Sequence, residues 1–171
     1  MKRLLLIFSA AVILLSACSS TKQTDVGSAH KTDSIAPADA ANQRLTARMD
    51  IKPVIEESDS IFMTFTVYNT GTKDQTFCKW HTPFEPPMSK YLDVVDENGN
   101  EANYLGAMAK RIMPPPANSY LKVKIGDSLS VVVNLRKSYQ LNQPGRYTIK
   151  YNSEGISGLS VKDSVSFEIR K

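Results

Sequence analysis

The sequence predicts an all-β fold, and three observations lead to that prediction. From residue 44 to the C-terminus, apolar side chains alternate with polar ones, which is the period of a half-buried strand. Turn residues separate the alternating segments at intervals of about 8 to 15 residues. No segment has the 3.6-residue period of a helix that could connect parallel strands. We therefore expect antiparallel sheets.

Four segments in the first half of this region are expected to be strands. They are LTARMDIK (residues 45–52), IFMTFTVYN (61–69), QTFCKWH (75–81) and KYLDVVD (90–96). The third should place Thr76, Cys78 and Trp80 on one face and Phe77 on the other. The Asn-Gly pair that follows the fourth fits a type I′ hairpin turn, so ANYLG (102–106) is expected to be its return strand.

Four further segments complete the prediction: YLKVKI (residues 120–125), SLSVVVNL (128–135), RYTIKY (146–151) and SVSFEI (164–169). The second of these is apolar enough to be expected at the centre of the fold. Tyr147 follows a Pro-Gly turn, a position at which a tyrosine hydroxyl pins the corner before a late strand in immunoglobulin-like domains. The count and order predict an antiparallel immunoglobulin-like β-sandwich of about seven or eight strands.

The first residues indicate export. Two basic residues precede an apolar run at residues 4–15, which is too short to span a bilayer and has the layout of a cleaved signal, residues 1–17. The run ends in LSAC, which resembles the lipobox of bacterial lipoproteins. The resemblance implies that Cys18 is lipidated and attaches the protein to a membrane. An ordinary signal cut nearby and an uncleaved anchor remain as alternatives.

Three parts of the chain are therefore expected: the signal (1–17), the lipidated Cys18 with a flexible tether (18–43), and one β-sandwich domain (44–171). The tether is polar and almost free of large apolar residues. In lipoproteins of Gram-negative type, serines after the lipidated Cys do not match the inner-membrane retention signal. Ser19 and Ser20 therefore favour the outer membrane, facing the periplasm or the cell surface.

Composition excludes some functions. The formal charge is +4, and loss of the signal with Lys2 and Arg3 would leave about +2, which is too weak to indicate nucleic-acid binding. With Cys18 lipidated, Cys78 has no cysteine left to pair with and is expected to be a buried small hydrophobe. The alternative is a reactive or intermolecular thiol.

Catalysis is not expected, because the sequence contains no HExxH, CxxC, GxSxG, P-loop or glycine-rich dinucleotide motif. His30 falls in the tether, and His81 alone does not make a usual zinc site. Asp93, Asp96 and Glu97 fall in a strand and its turn, where acids more often keep an edge soluble than act in acid-base chemistry. We therefore expect no cofactor and no metal.

The least generic stretch runs over residues 79–111. It contains the only Trp, Trp80, and one of the two His, His81. Two loops lie in or beside it, residues 82–89 and 106–119, and both are expected to be exposed. They carry prolines and a Lys-Arg pair that a plain sandwich does not need.

Five motifs follow one another between residues 65 and 151: FTVYNT, KWHTPFE, a D-x-x-G hairpin, YLGAMAKR and YQLNQPGRYTIKY. With these motifs, residues 65–151 resemble the N-terminal pro-domain of bacterial aspzincin (deuterolysin-type) zinc metalloendopeptidases. In that family the pro-domain precedes a catalytic domain with HExxH and an Asp ligand, and it keeps the enzyme silent until it is removed. Since this sequence lacks HExxH, the resemblance implies an inhibitor of a separate protease.

The resemblance also implies where contact occurs. Residues 104–111 could lie extended in a protease cleft, with these residues as the predicted contacts: Tyr104, Gly106, Met108, Lys110 and Arg111. Aspzincins of the lysine-specific type accept Lys just after the scissile bond, which makes Lys110 the candidate for that pocket. Alternatively Lys110 and Arg111 are a solvated pair. Trp80, Pro83 and Tyr147 are expected to be structural.

Two other functions stay open. Intracellular proteinase inhibitors of immunoglobulin-like fold share the PG-x-Y pattern at residues 144–147, although the lipobox argues against an intracellular site. A structural or adhesion lipoprotein of the cell envelope would need only the sandwich and the tether. In that case the two loops would have no binding role.

Overall fold

A computed structural model describes residues 45–171. Its strands are β1 (Thr46–Ile51), β2 (Val54–Glu56), β3 (Phe62–Tyr68), β4 (Gln75–Cys78), β5 (Leu92–Asp96), β6 (Tyr120–Val123), β7 (Ser128–Asn134), β8 (Gly145–Tyr151) and β9 (Val165–Arg170). Helical structure in this part of the chain is confined to the 3-10 turns Ala117–Ser119 and Leu135–Lys137 and to α1 (Glu154–Ser157). The all-β prediction is confirmed. The predicted signal, Cys18, His30 and the tether lie outside the described residues.

The strands form three sheets. The first has the order β1-β3-β7, the second β2-β9-β8-β5, and the third is the pair β4-β6. All pairings are antiparallel except that of β2 with β9, which is parallel. The sequence did not predict the three-residue β2. The immunoglobulin-like classification stays a prediction.

The alternation of side-chain directions explains which residues are buried in β3, the central strand of the first sheet. Met63, Phe65 and Val67 of β3 are fully buried because side chains two residues apart point to the same face of a strand. The Phe65 ring lies between its cross-strand neighbours Met49 of β1 and Val131 of β7. The buried face of this sheet is therefore continuous across all three strands.

A cluster of aromatic rings connects the three sheets. Phe65 of the first sheet lies 5.7 Å, centroid to centroid, from Tyr151 of the second. Phe84, from the loop after β4, contacts Phe65 edge-on at 6.3 Å and Phe77 of the third sheet at 5.3 Å. Such pairs add about 0.5 to 1.5 kcal/mol each beyond the burial of their area. Phe84 therefore fixes its loop to the core.

Two expectations about individual strands were wrong. β4 ends at Cys78, so its alternation does not reach Trp80, and Phe77 and Cys78 are both buried while Thr76 is exposed. β7 lies at the edge of its sheet, because its apolar run covers only one face and Val132 is largely exposed. Apolar content alone did not distinguish an edge strand from a central one.

The predicted return strand at residues 102–106 does not form. The Asp96 carboxylate accepts hydrogen bonds from the amides of Asn98 and Asn100, which closes the turn after β5. The amide of Ala102 still pairs with Val94. The chain then leaves β5, because the Tyr104 ring packs against Tyr139, 5.4 Å away.

The tyrosine expected at the corner before a late strand makes the predicted kind of contact. The Tyr147 hydroxyl donates to the carbonyl oxygen of Gln143, four residues upstream, at 3.0 Å. The Tyr147 ring stacks on Phe167 with centroids 5.5 Å apart. The hydroxyl and the ring together hold the corner against β9.

Replacing Tyr147 by Phe should remove this hydrogen bond and keep the ring. We expect the free energy of unfolding to fall by about 1 kcal/mol, the net value of one intramolecular hydrogen bond, measured by urea denaturation. Tyr120→Phe is the control, since the hydroxyl of this exposed residue has no hydrogen bond within residues 45–171. Equal effects of the two substitutions would show that the corner bond contributes nothing.

Candidate functional site

The loop after β4, residues 79–89, is called the first loop. Its entry is fixed by the Lys79 amide, which donates to Ser119 at 2.8 Å. Thr82, whose side chain is fully buried, donates through its hydroxyl to the Lys79 carbonyl oxygen at 2.6 Å and accepts from the Phe84 amide at 3.2 Å. These bonds satisfy the backbone at the turn.

His81 has a φ of 57°, in the left-handed region, which costs a non-glycine residue energy and persists only where neighbours enforce it. The Tyr151 hydroxyl lies 2.9 Å from the His81 carbonyl oxygen and 2.7 Å from Ser157 Oγ. Burial raises the pKa of Tyr151, so the hydroxyl stays protonated and can donate. It helps to hold the turn in this conformation.

A side-chain cluster joins the first loop to the later one. Arg111 Nη2 lies 2.6 Å from Glu85 Oε2, and the guanidinium carbon lies 4.7 Å from the centroid of the Trp80 ring. The side chains of Glu85 and Arg111 are only 5% and 20% exposed. We call Trp80, Glu85 and Arg111 the clasp.

The other carboxylate oxygen of Glu85 faces the first loop itself. Oε1 accepts from the His81 amide at 2.9 Å and from the Ser89 hydroxyl at 3.3 Å. A buried carboxylate needs such donors as well as a cation, because burial removes its hydration. Glu85 therefore connects the two ends of the first loop and holds Arg111 at the same time.

Residues 103–116 are called the second loop, and hydrogen bonds hold its first half on one side. The amide of Leu105 donates to Ser138 at 2.8 Å, and those of Ala107 and Ala109 donate to Pro87 and Met88, both at 2.9 Å. Alternate amides of an extended chain point in opposite directions. Those of residues 106, 108 and 110 therefore point away from the protein.

Gly106 allows a close approach between the two loops. A Cβ atom placed there would lie 2.7 Å from the carbonyl oxygen of Pro87, so any larger residue would push the loops apart. The neighbouring Tyr104 hydroxyl lies 3.3 Å from the Ala107 carbonyl oxygen. The glycine of this motif thus has a packing reason.

The predicted site residues divide into two groups. Met108 and Lys110 are exposed, and within residues 45–171 the Lys110 ammonium has no ion-pair partner. Tyr104, Gly106 and Arg111 make contacts inside the protein. Whether any of them contacts a protease stays a prediction.

The three residues predicted to be structural are buried. Trp80 is 8% exposed, and Pro83 and Tyr147 are also buried. The first loop is therefore only partly exposed, over residues 86–88. Cys78 is a free buried cysteine, and burial raises the pKa of its thiol, which opposes reactivity.

Sequence reasoning did not single out Glu85. Glu85 is the last residue of the KWHTPFE motif, but its partner Arg111 is 26 residues away. The sequence does show an acidic residue in a proline-rich loop, followed later in the chain by a motif that ends in a Lys-Arg pair. That signal does not say which of the two cations the acid binds.

Neither a cluster of metal-ligating side chains nor a membrane-spanning helix is found within residues 45–171. No group of three or more His, Cys, Asp or Glu side chains is placed there to hold a metal ion. None of the helices in this range has the length and apolarity needed to cross a membrane.

Two curated proteins are similar to this chain, and no family model matches it. An extracellular protease of Aeromonas hydrophila is 28% identical over 113 residues, which is 65% of this chain and 32% of that protein. An uncharacterized secreted protein of Arthroderma benhamiae is 30% identical over 104 residues, 58% of this chain and 53% of that protein. The chain thus spans about a third and about half of these relatives' lengths.

Solved structures give only distant likenesses. An alkylpurine DNA glycosylase of Pseudomonas fluorescens aligns with 75% of this chain and 31% of its own, at 15% identity and a TM-score of 0.38. A β-glucosidase of Listeria innocua aligns with 74% of this chain and 16% of its own, at 10% identity and a TM-score of 0.36. Likeness at this level carries no information on function.

Removing the cation of the clasp should destabilise the protein. In Arg111→Ala the Glu85 carboxylate stays buried without its partner, so we expect the free energy of unfolding to fall by roughly 2 to 4 kcal/mol. Adding Glu85→Gln should restore part of the loss, because a neutral amide costs less to bury. Lys110→Ala, one position away and exposed, is the control. Equal stability of the Arg111 and Lys110 variants would show that the clasp does not stabilise the fold.

The pKa of His81 is lowered by burial, an effect that Glu85 opposes and Arg111 reinforces. The unfolded chain therefore binds a proton at a higher pH than the folded one, so this contribution to stability is present above about pH 6.5 and decreases as the pH falls. His81→Asn, which tolerates a positive φ, should give a flatter stability profile between about pH 7 and 5.5. Parallel profiles from denaturation at each pH would contradict this.

Proposed function

We propose that this protein is a membrane-anchored inhibitor of a secreted zinc endopeptidase of aspzincin type, and that the second loop blocks the active-site cleft. The observation that carries the proposal is the similarity to an extracellular protease, which covers 65% of this chain and 32% of that protein. About two thirds of the protease lies outside the match, which leaves room for a catalytic domain.

The geometry of the second loop supports cleft binding. An inhibitor loop binds tightly when it loses little conformational freedom on binding. Here residues 105, 107 and 109 are held by their amides and Arg111 by the clasp. The exposed segment between them is already close to one conformation before it meets an enzyme.

Lys110 is the residue that we propose for the specificity pocket. It is exposed and lies between Ala109, whose amide is bonded to Met88, and Arg111, which the clasp holds. Its positive charge would be complementary to an acidic pocket in a lysine-specific enzyme. The flanking anchors present the side chain outward.

The proposed location follows from the lipobox resemblance. Lipid on Cys18 would hold the inhibitor at the outer membrane of a Gram-negative bacterium, and residues 18–43 would give the domain some reach. Both relatives are described as extracellular or secreted, which agrees with a place outside the cytoplasm. The inhibitor would then protect the producing cell at its own surface.

The purified full-length chain should inhibit a lysine-specific aspzincin endopeptidase stoichiometrically and leave an unrelated zinc endopeptidase active. Residual peptidase activity at increasing inhibitor concentration measures this. Inhibition of neither enzyme would overturn the proposal and favour a structural or adhesion role. Inhibition of both would indicate a less specific mode of binding.

Two substitutions distinguish a residue that contacts the endopeptidase from one that stabilises the fold. Lys110→Ala should weaken inhibition and leave the thermal midpoint nearly unchanged, because the side chain is exposed. Trp80→Ala should lower stability by roughly 3 to 5 kcal/mol through lost packing. Unchanged inhibition by the Lys110 variant would remove this residue from the mechanism.

A further inference from the structure

The exposed side chains of the second loop alternate with inward ones over five consecutive residues. Met108, Lys110 and Ile112 are exposed, whereas Ala109 and Arg111 are half-buried. Met108 is 73% exposed and Ile112 84%, so these apolar side chains contribute little to the core. Solvent-facing Met and Ile at this spacing need an explanation other than folding.

The clasp is the physical cause of this alternation. Arg111 is held inward by Glu85 and Trp80, and the backbone at Ala109 is held by the hydrogen bond from its amide to the carbonyl oxygen of Met88. In an extended chain the residues on either side of an inward one point outward. Holding positions 109 and 111 therefore turns the three exposed side chains toward solvent as one row.

The backbone beside this row is also open. Within residues 45–171 the amides of Met108 and Lys110 donate no hydrogen bond, while those of Ala107 and Ala109 do. A chain with one bonded edge and one free edge can add to a partner as a strand, with alternate side chains entering successive pockets. The spacing of alternate side chains is about 6.5 to 7 Å.

Resting on the proposed function, we infer that the endopeptidase cleft receives the second loop through three consecutive pockets, apolar, acidic and apolar, filled by Met108, Lys110 and Ile112. The free amides at positions 108 and 110 pair with the backbone of the enzyme. The charge of Lys110 requires an acidic middle pocket, and its two neighbours would leave apolar area exposed to water without the outer pockets. Specificity then depends on the order of the three pockets.

Met108→Glu and Ile112→Glu test the two outer pockets in the full-length chain. Each should raise the inhibition constant for the lysine-specific aspzincin endopeptidase at least about tenfold, because a carboxylate is costly to bury in an apolar pocket. Thermal midpoints should not change, since both side chains are exposed. Ile125→Glu is the matched control, because Ile125 is 56% exposed in the turn between β6 and β7.

The outcomes separate this inference from the proposed function. If the wild-type chain inhibits and only Lys110→Ala weakens it, a single pocket operates and the inference is overturned while the proposed function stands. If the wild-type chain does not inhibit, both are overturned. A loss of inhibition by Ile125→Glu equal to that of the two test variants would also overturn the inference.

Discussion

The ion pair between Arg111 and Glu85, covered by Trp80, is the interaction on which the candidate site depends. A buried ion pair adds little net stability, because desolvation of both charges offsets their attraction. Its larger effect is on the choice of conformation, since any other path of the second loop would leave the Glu85 carboxylate buried without a cation. The pair therefore determines which residues of the second loop face outward.

The clasp holds the second loop firmly because the first loop is itself fixed to the core. Phe84 packs between rings of the first and third sheets, and Thr82 closes the turn with two hydrogen bonds. Glu85 follows directly after these anchors in the chain. Displacement of its carboxylate would disturb packing among three sheets, so the position of Arg111 is tied to the hydrophobic core.

The sequence predicted most of the strands but not which strands pair with one another. The alternation around Phe65 and Ile149 identified strands that are present, because the two-residue period is a local property of extended backbone. The return strand after Asn98-Gly99 was wrong, since packing of Tyr104 on Tyr139 draws the chain away after the turn. A turn motif specifies its own backbone angles and does not determine which strand the chain pairs with afterwards.

By itself the sequence determined that the domain is all-β, that Lys110 and Arg111 belong to one motif, and that the chain carries a motif resembling a lipobox. Only the tertiary structure decided that the two cations differ, with Arg111 held inward by Glu85 and Lys110 left facing solvent. The physical reason is that alternation depends on adjacent residues, whereas an ion pair across 26 residues depends on how the sheets bring distant loops together.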